Sequence, residues 1–229
     1  MKKINLTIIG AGSDLLKPLI IDASSHDLII QEIKREDWDL SEALPKDSLI
    51  EKIIKFNPSQ LIFSAGTNHK TDLDKFCTKE LIKLIENHMA INTLSFFSII
   101  DILQKSLPQK LDAVHALSSL YGIYGRRTRL PYVVSKHALE ALIKCFSLEY
   151  PETQFLGYRP GFFETKLTSK NLSFEMQKDI SKRIGKKRLG KPEEMQKALI
   201  NNIKNINPYM TGTFLTIDGG MISGGIFET

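Results

Sequence analysis

The strongest constraint on this chain is an alternation. Short apolar runs, each stopped by turn residues, are followed by longer stretches with helical spacing. Strands separated by helices cannot pair as tight hairpins, because each crossover returns the next strand parallel to the last. The pattern predicts a doubly wound α/β domain, Rossmann-like, with a mainly parallel sheet and helices on both faces. Strands are expected at Ile4–Ile9, Leu28–Ile33, 37–40, 60–64, Ala113–Leu117, 154–158 and Thr213–Ile217, with helices over 14–23 and 48–56. The 37–40 strand follows its predecessor so closely that the helix between them shrinks to a turn.

At 229 residues, 42% hydrophobic and 25% charged, the chain suits one domain over residues 1–229 and is too short for two full ones. The opening Lys2-Lys3 and INLTII have the charged start of a signal peptide. The apolar run is short, however, and Gly10, Gly12 and Asp14 follow it without a small-residue cleavage site, so it reads as a first strand. No stretch approaches the roughly 18 apolar residues of a membrane span. Cys77 and Cys145 are a single distant pair, which fits a reducing cytoplasm and opposes a disulfide or zinc framework. The histidines sit where strand and helix patterns explain them, so no metal site is expected.

The net charge is +5, but Lys and Arg are scattered among acids without an aromatic-interleaved basic stripe. That describes a solvated surface and not a nucleic-acid interface. Two segments, 91–103 and 138–148, carry more apolar residues than one sheet-facing stripe requires. A homodimer or homotetramer packed through them is expected.

Two constellations carry chemistry. At the end of the first strand, IIGAGSDLL places Gly10, Gly12, Ser13, Asp14 and Leu15 where backbone N–H groups and a helix N-terminus can cradle a pyrophosphate. Glycine after a strand is also ordinary turn chemistry. Further on, Tyr132 and Lys136 open a helix four residues apart, so they share a face one turn apart. A free phenol, with pKa near 10, is a poor proton carrier at neutral pH. A cation about 4 Å away at an effective dielectric near 20 contributes roughly 4 kcal/mol, or about three pKa units, in favour of phenolate.

With these residues in place, the chain resembles the short-chain dehydrogenase/reductase family in its small single-domain branch, nearly end to end. Leu117-Ser118-Ser119 is similar to that family's catalytic-serine strand end, and Ser119 stands 13 residues before Tyr132. Asn92 in HMAINTLSFF resembles the helix asparagine that holds a relay water beneath the lysine. YRPGFFET resembles the segment that sets Pro160, Gly161, Phe163 and Thr165 beside the nicotinamide carboxamide. RLGKPEE and TGTFLTIDGG match C-terminal landmarks.

The resemblance implies an NAD(P)-dependent oxidoreductase interconverting a carbonyl and an alcohol. Tyr132 would be the general acid, Ser119 the carbonyl ligand, Lys136 the ribose binder and Asn92 the link from Lys136 to solvent. Leu16 stands where the family has its last glycine, and Ser64-Ala65-Gly66 replaces Asn-Ala-Gly, with Ala65 and Gly66 on the cofactor. Asp39-Leu40 resembles the pair that contacts adenine. Lys34 and Arg35 fall at the end of the second strand, where a guanidinium can hold a 2′-phosphate, so NADP(H) is favoured over NAD(H). Glu32 would reverse this if the strand ended two residues sooner. The substrate is expected to be a small-molecule or carrier-bound carbonyl. Arg126, Arg127 and Arg129, with Lys186, Lys187 and Arg188, would suit an anionic one. The other reading of these arginines is that they are solvated or pair with acids across a subunit interface. A catalytically silent dinucleotide sensor of the same fold is the alternative.

Overall fold

The computed structural model describes residues 3–223. Six strands, β1 (Ile4–Ile9), β2 (Leu28–Ile33), β3 (Gln60–Phe63), β4 (Ala113–Leu117), β5 (Gln154–Pro160) and β6 (Thr213–Ile217), form one parallel sheet in the order β2-β1-β3-β4-β5-β6. Eight α-helices accompany them: α1 (Lys17–Ile21), α2 (Asp47–Phe56), α3 (Thr78–Met89), α4 (Ser95–Ser106), α5 (Leu130–Glu149), α6 (Lys166–Asn171), α7 (Phe174–Arg183) and α8 (Pro192–Lys204).

Alternating side chains feed two cores, which explains why the strand sequences are nearly continuous apolar runs. Ile9, Leu61, Phe63, Val114 and Phe155 pack with Ile53 of α2, Ile99 of α4 and Ile143 of α5 on one face. Leu6, Ile8, Ile62 and Leu156 pack with Leu19 of α1 and Met195 and Leu199 of α8 on the other. After β2 the chain crosses back over β1 to lay down β3. The strand order therefore reverses between β1 and β3, the place where a doubly wound sheet opens a crevice at its carboxyl ends.

Three local expectations are corrected. Residues 37–40 form no strand. Asp37 accepts the Lys34 N–H at 2.9 Å, and Asp39 caps a 3₁₀ turn at Leu40–Glu42 by accepting from the Ser41 N–H at 3.1 Å. Carboxylates that capture nearby backbone donors divert the chain from a sheet ladder.

The helix expected over 14–23 is broken into a 3₁₀ turn at Asp14–Leu16, the five-residue α1, and another 3₁₀ turn at Ala23–His26. Pro18 has no N–H to continue the ladder, and it restarts the helix near its first turn.

The segment 91–103 belongs to a longer helical run, α3 and α4 joined by a π-turn at Ala90–Leu94. Its apolar excess is only partly covered: Leu94 and Phe97, with Val134 and Leu148 on α5, stay exposed, Leu148 at 82%. Among the described residues, no helix is long and apolar enough to cross a membrane.

Candidate active site

A cleft of about 700 Å³ opens at the carboxyl ends of the strands, from the β1 loop to the start of α6. That lies within the range of about 300–1,000 Å³ typical of ligand sites. Its floor begins at Gly10, whose φ of +83° and closeness to β3 leave no room for a side chain. A Cβ there would sit 2.6 Å from the Ala65 nitrogen. The next glycine differs: a Cβ on Gly12 would meet nothing within 4 Å, so bare backbone faces open space beside Ser13, Asp14 and Leu15. This is a cradle of the kind a pyrophosphate requires.

Leu16 does not enter the cleft. It is fully buried in the core below, so its bulk replaces a glycine's close packing and the turn above it is 3₁₀. Asp14 reaches across to the other wall, accepting the Lys166 N–H at 2.8 Å while pairing with Lys17 at 2.6 Å. Those donors hold its carboxyl below the usual carboxylate range.

One end of the cleft is lined by Lys34, Arg35, Trp38, Asp39, Leu40 and Ser41. β2 runs through Ile33, so Lys34 and Arg35 head the following loop, while Glu32 is paired with Lys34 at 3.0 Å and is not in the lining. Trp38 is buried there, with its indole nitrogen unpartnered. It is the chain's single tryptophan, but its position between two aspartates gave no periodic signal.

The other end is lined by Tyr132 and Lys136, and Asn92 and Ser119 lie outside that lining. Asn92 lies in the π-turn with 0% exposure. Its Oδ1 accepts from the Thr67 N–H at 2.7 Å; its Nδ2 donates to the Thr67 carbonyl at 3.0 Å and to Ser135 Oγ at 2.8 Å. The amide is thus spent on tying the β3 loop to α5. A π-turn is where one extra residue can be aimed in this way, and such turns recur at functional sites.

Ser119, in extended backbone after β4, accepts from the Tyr121 N–H at 3.2 Å through its Oγ and hydrogen-bonds the Tyr132 phenol. On α5, Lys136 is 3% exposed; its Nζ donates to the Leu117 carbonyl at 2.8 Å and stands 5.8 Å from the Tyr132 ring centroid.

The spacing leads one to expect that Lys136, aided by the oxidised nicotinamide, lowers the Tyr132 pKa; in the protein alone, burial acts the other way. Burial pushes the phenol up to about 12 against the Ser119 hydrogen bond, and burial also pushes Lys136 down to about 8. The ammonium is directed at a carbonyl and is itself desolvated, so the protein's own groups do not bring the phenol to neutrality.

Of the remaining expected residues, Ala65, Gly66, Pro160 and Thr165 line the cleft, and Thr165 caps α6 by accepting the Thr168 N–H at 3.2 Å. Gly161 is packed against Asp218, where a Cβ would lie 2.7 Å from its Cα. Phe163 turns into the core against Gly190 and does not reach the cleft.

The arginine cluster divides. Arg129 donates to the Asn68 side chain at 3.1 Å and to Asn171 of α6 at 3.3 Å, while Arg126 and Arg127 are exposed. Arg188 is paired with Glu194 at 2.7 Å. Sequence reasoning passed over Thr67, Asn68, His69 and Ser118 in the lining, and over Glu140 and Arg159 behind it. These meet only through tertiary contacts.

The chain matches a family model described as enoyl-(acyl carrier protein) reductase over residues 59–222. It is 30% identical over 184 residues to a 3-oxoacyl-(acyl-carrier-protein) reductase of Buchnera aphidicola, covering 76% of this chain and 73% of that one. It is 26% identical over 166 residues to the 5-keto-D-gluconate 5-reductase of Escherichia coli, covering 71% and 64%. Solved structures share the fold: ElxO with NADP bound (TM-score 0.78, 21% identity, 97% and 100% covered) and 4-hydroxyisoleucine dehydrogenase complexed with NADH (TM-score 0.81, 19% identity, 97% and 100% covered). The chain belongs to the short-chain dehydrogenase/reductase family of oxidoreductases.

Proposed function

We propose that this protein is an NADP(H)-dependent oxidoreductase that interconverts a carbonyl and an alcohol through Tyr132, Lys136, Ser119 and Asn92. The observation that carries the reading is one continuous cleft. A Tyr–Lys pair, with a serine hydroxyl on the phenol, stands at one end, and two cations head a loop at the other. When bound, the nicotinamide supplies or accepts the hydride. In reduction, the Tyr132 hydroxyl gives its proton to the carbonyl oxygen. Ser119, whose oxygen accepts the Tyr121 N–H, would shift its O–H from the Tyr132 phenol to that same oxygen. Lys136 binds ribose hydroxyls and keeps positive charge near the phenol. Because the Asn92 amide is fully used, its contribution to a proton path runs through the π-turn backbone.

The cofactor reading rests on Lys34 and Arg35 lining the cleft while Glu32 does not. A carbonyl substrate, small or carrier-bound, accords with the relatives' names. An anionic one accords with the charge of the segment that follows Thr165 at the cleft's edge. Residues 166–188 hold eight cations and two acids, a net +6 against +5 for the whole chain. A cytoplasmic homodimer or homotetramer, each chain one domain, completes the proposal, supported by the uncovered apolar side chains of α4 and α5.

The test is NADPH oxidation over a panel of ketones, keto sugars and ketoacyl thioesters, with NADH in parallel. Turnover with NADPH ahead of NADH is expected. Tight dinucleotide binding with no turnover on any panel member would establish the silent-sensor alternative instead.

A further inference from the structure

Behind the Tyr–Lys pair lies a charged group that the reaction does not call for. Glu140 follows Lys136 by one helical turn on α5, continuing the face that begins with Tyr132. Its side chain is only 4% exposed, and both carboxylate oxygens are engaged. Oε1 accepts from Arg159 Nε at 2.8 Å and from the Ser118 hydroxyl at 2.8 Å; Oε2 accepts from Arg159 Nη2 at 2.6 Å. Arg159 also stacks over Phe214, 4.4 Å from the ring centroid. The backbone is shaped around the group, since a Cβ on Gly122, in the turn after Ser119, would collide with the Glu140 carboxylate.

A buried ion pair is a weak device for stability, because desolvation offsets its attraction and apolar residues of similar volume often do as well. Its value must come from its neighbours, and each one adjoins the chemistry. Ser118 precedes Ser119, Arg159 precedes Pro160, and Lys136 is one turn away.

We propose that Glu140 is the positioning residue of this active site: shared between Arg159 and Ser118, its carboxylate locks the ends of β4 and β5 to α5 and holds Lys136 as a cation. The inference rests on the Tyr132–Lys136 reading above. The groups facing Lys136 are the Tyr132 ring and Glu140 on its own helix and the neutral Asn92 and Leu117 carbonyl, while Arg159 of β5 acts on it only through the Glu140 carboxylate. Arg129 and Tyr121 face Tyr132. Glu140 is the only acid in this set. Its charge works against the burial that pulls Lys136 down to about 8.

Two substitutions with opposite expected signs separate a charge role from a merely structural one. Glu140→Gln keeps the shape and removes the charge, leaving Lys136 without the carboxylate that opposes its burial. The alkaline limb of kcat/KM for reduction should then move down by about one pH unit. Arg159→Met leaves the Glu140 charge un-neutralised beside Lys136, so the limb should move up. If both variants lose activity with limbs unmoved, or moved in the same direction, Glu140 is structural only and the proposal fails. Should Glu140→Gln prove too unstable to assay, Arg159→Met decides alone: an upward shift supports the proposal and an unmoved limb overturns it. Tyr132→Phe in the same assay distinguishes the two readings. Activity surviving that change removes the proton donor itself, whereas its loss beside unmoved limbs removes only the role of Glu140.

Discussion

The two ends of the cleft are built on different physics. At the Tyr132 end, Asn92, Ser118, Ser135, Lys136 and Glu140 are all buried, and their polar side-chain atoms are engaged in short hydrogen bonds. At the Lys34 end, Lys34, Arg35 and Asp39 are exposed, and their contacts are local: Lys34 with Glu32, Asp39 with Ser41. A buried network can hold donors where charge develops in a transition state, without reorganising when it appears. Solvated charges on a loop recognise a ligand through screened attraction and adjust to it. The contrast implies that substitutions at one end are read in turnover and fold stability, and at the other in cofactor affinity alone.

The largest effect tests the buried end. Tyr132→Phe should lower kcat by at least about 100-fold, the usual scale for a lost acid–base group. The dissociation constant for NADPH, read by fluorescence, should stay within about two-fold of wild type if the variant touches only the chemical end. Comparable losses in both quantities would break the division.

The opposite end is tested by Arg35→Ala. Loss of a charge-assisted phosphate contact should weaken NADPH by roughly 10- to 150-fold while leaving NADH nearly unchanged. At saturating NADPH, kcat should recover to the wild-type value. Tighter binding of NADH than NADPH by the wild-type protein would return the choice to Glu32.

The same contrast governs what the sequence made legible. Most strand positions, the Tyr132–Lys136 pair and the Ser119 spacing follow from periodicity and fixed separation, which survive in one dimension. Residues 37–40 were misread because Asp37 and Asp39 bond to their own backbone, a local competition that propensity does not register. Burial raises Tyr132 in the protein without its cofactor, an effect that spacing, which gives only distance to a charge, does not carry. The direction of Phe163 could not be read because the strand-end residues after Pro160 leave the pleat. Glu140 and Arg159 stand 19 residues apart on a helix and a strand, and only the packing of α5 against β5 makes them a pair.

A smaller effect sharpens the comparison through stability. Asn92→Ala would leave the Thr67 N–H and carbonyl and the Ser135 hydroxyl without their partner in a buried site. A cost of about 2–4 kcal/mol follows, or a midpoint lower by about 5–15 °C for a chain of this size. Asp39→Ala, which removes an exposed cap, should leave the midpoint within about 2 °C. Equal shifts in the two variants, measured by thermal unfolding without cofactor, would mean that the buried end is no more preorganised than the exposed one.

The smallest expected effect concerns the segment after Thr165 and the loop that joins Ser119 to Tyr132. Arg188 is neutralised by Glu194, and Arg129 keeps its charge but has its donors held by Asn68 and Asn171, so neither is placed to grip an incoming substrate directly. Arg126 and Arg127 are exposed in that loop, and residues 166–188, which start at the cleft edge beside Thr165 and Leu167, carry a net +6. Such a field raises the local concentration of an anion and weakens as salt shortens the Debye length from about 30 Å at 0.01 M to about 8 Å at 0.15 M. For an anionic substrate, kcat/KM should fall several-fold across that salt range in wild type. In an Arg126→Ala/Arg127→Ala variant it should begin about three-fold lower and fall less steeply, because two of the focusing charges are gone. kcat should not change in either case, since steering acts on encounter and not on chemistry. Parallel salt profiles, with a variant that instead elutes as a smaller oligomer on sizing, would place these arginines at a subunit interface and remove them from substrate capture.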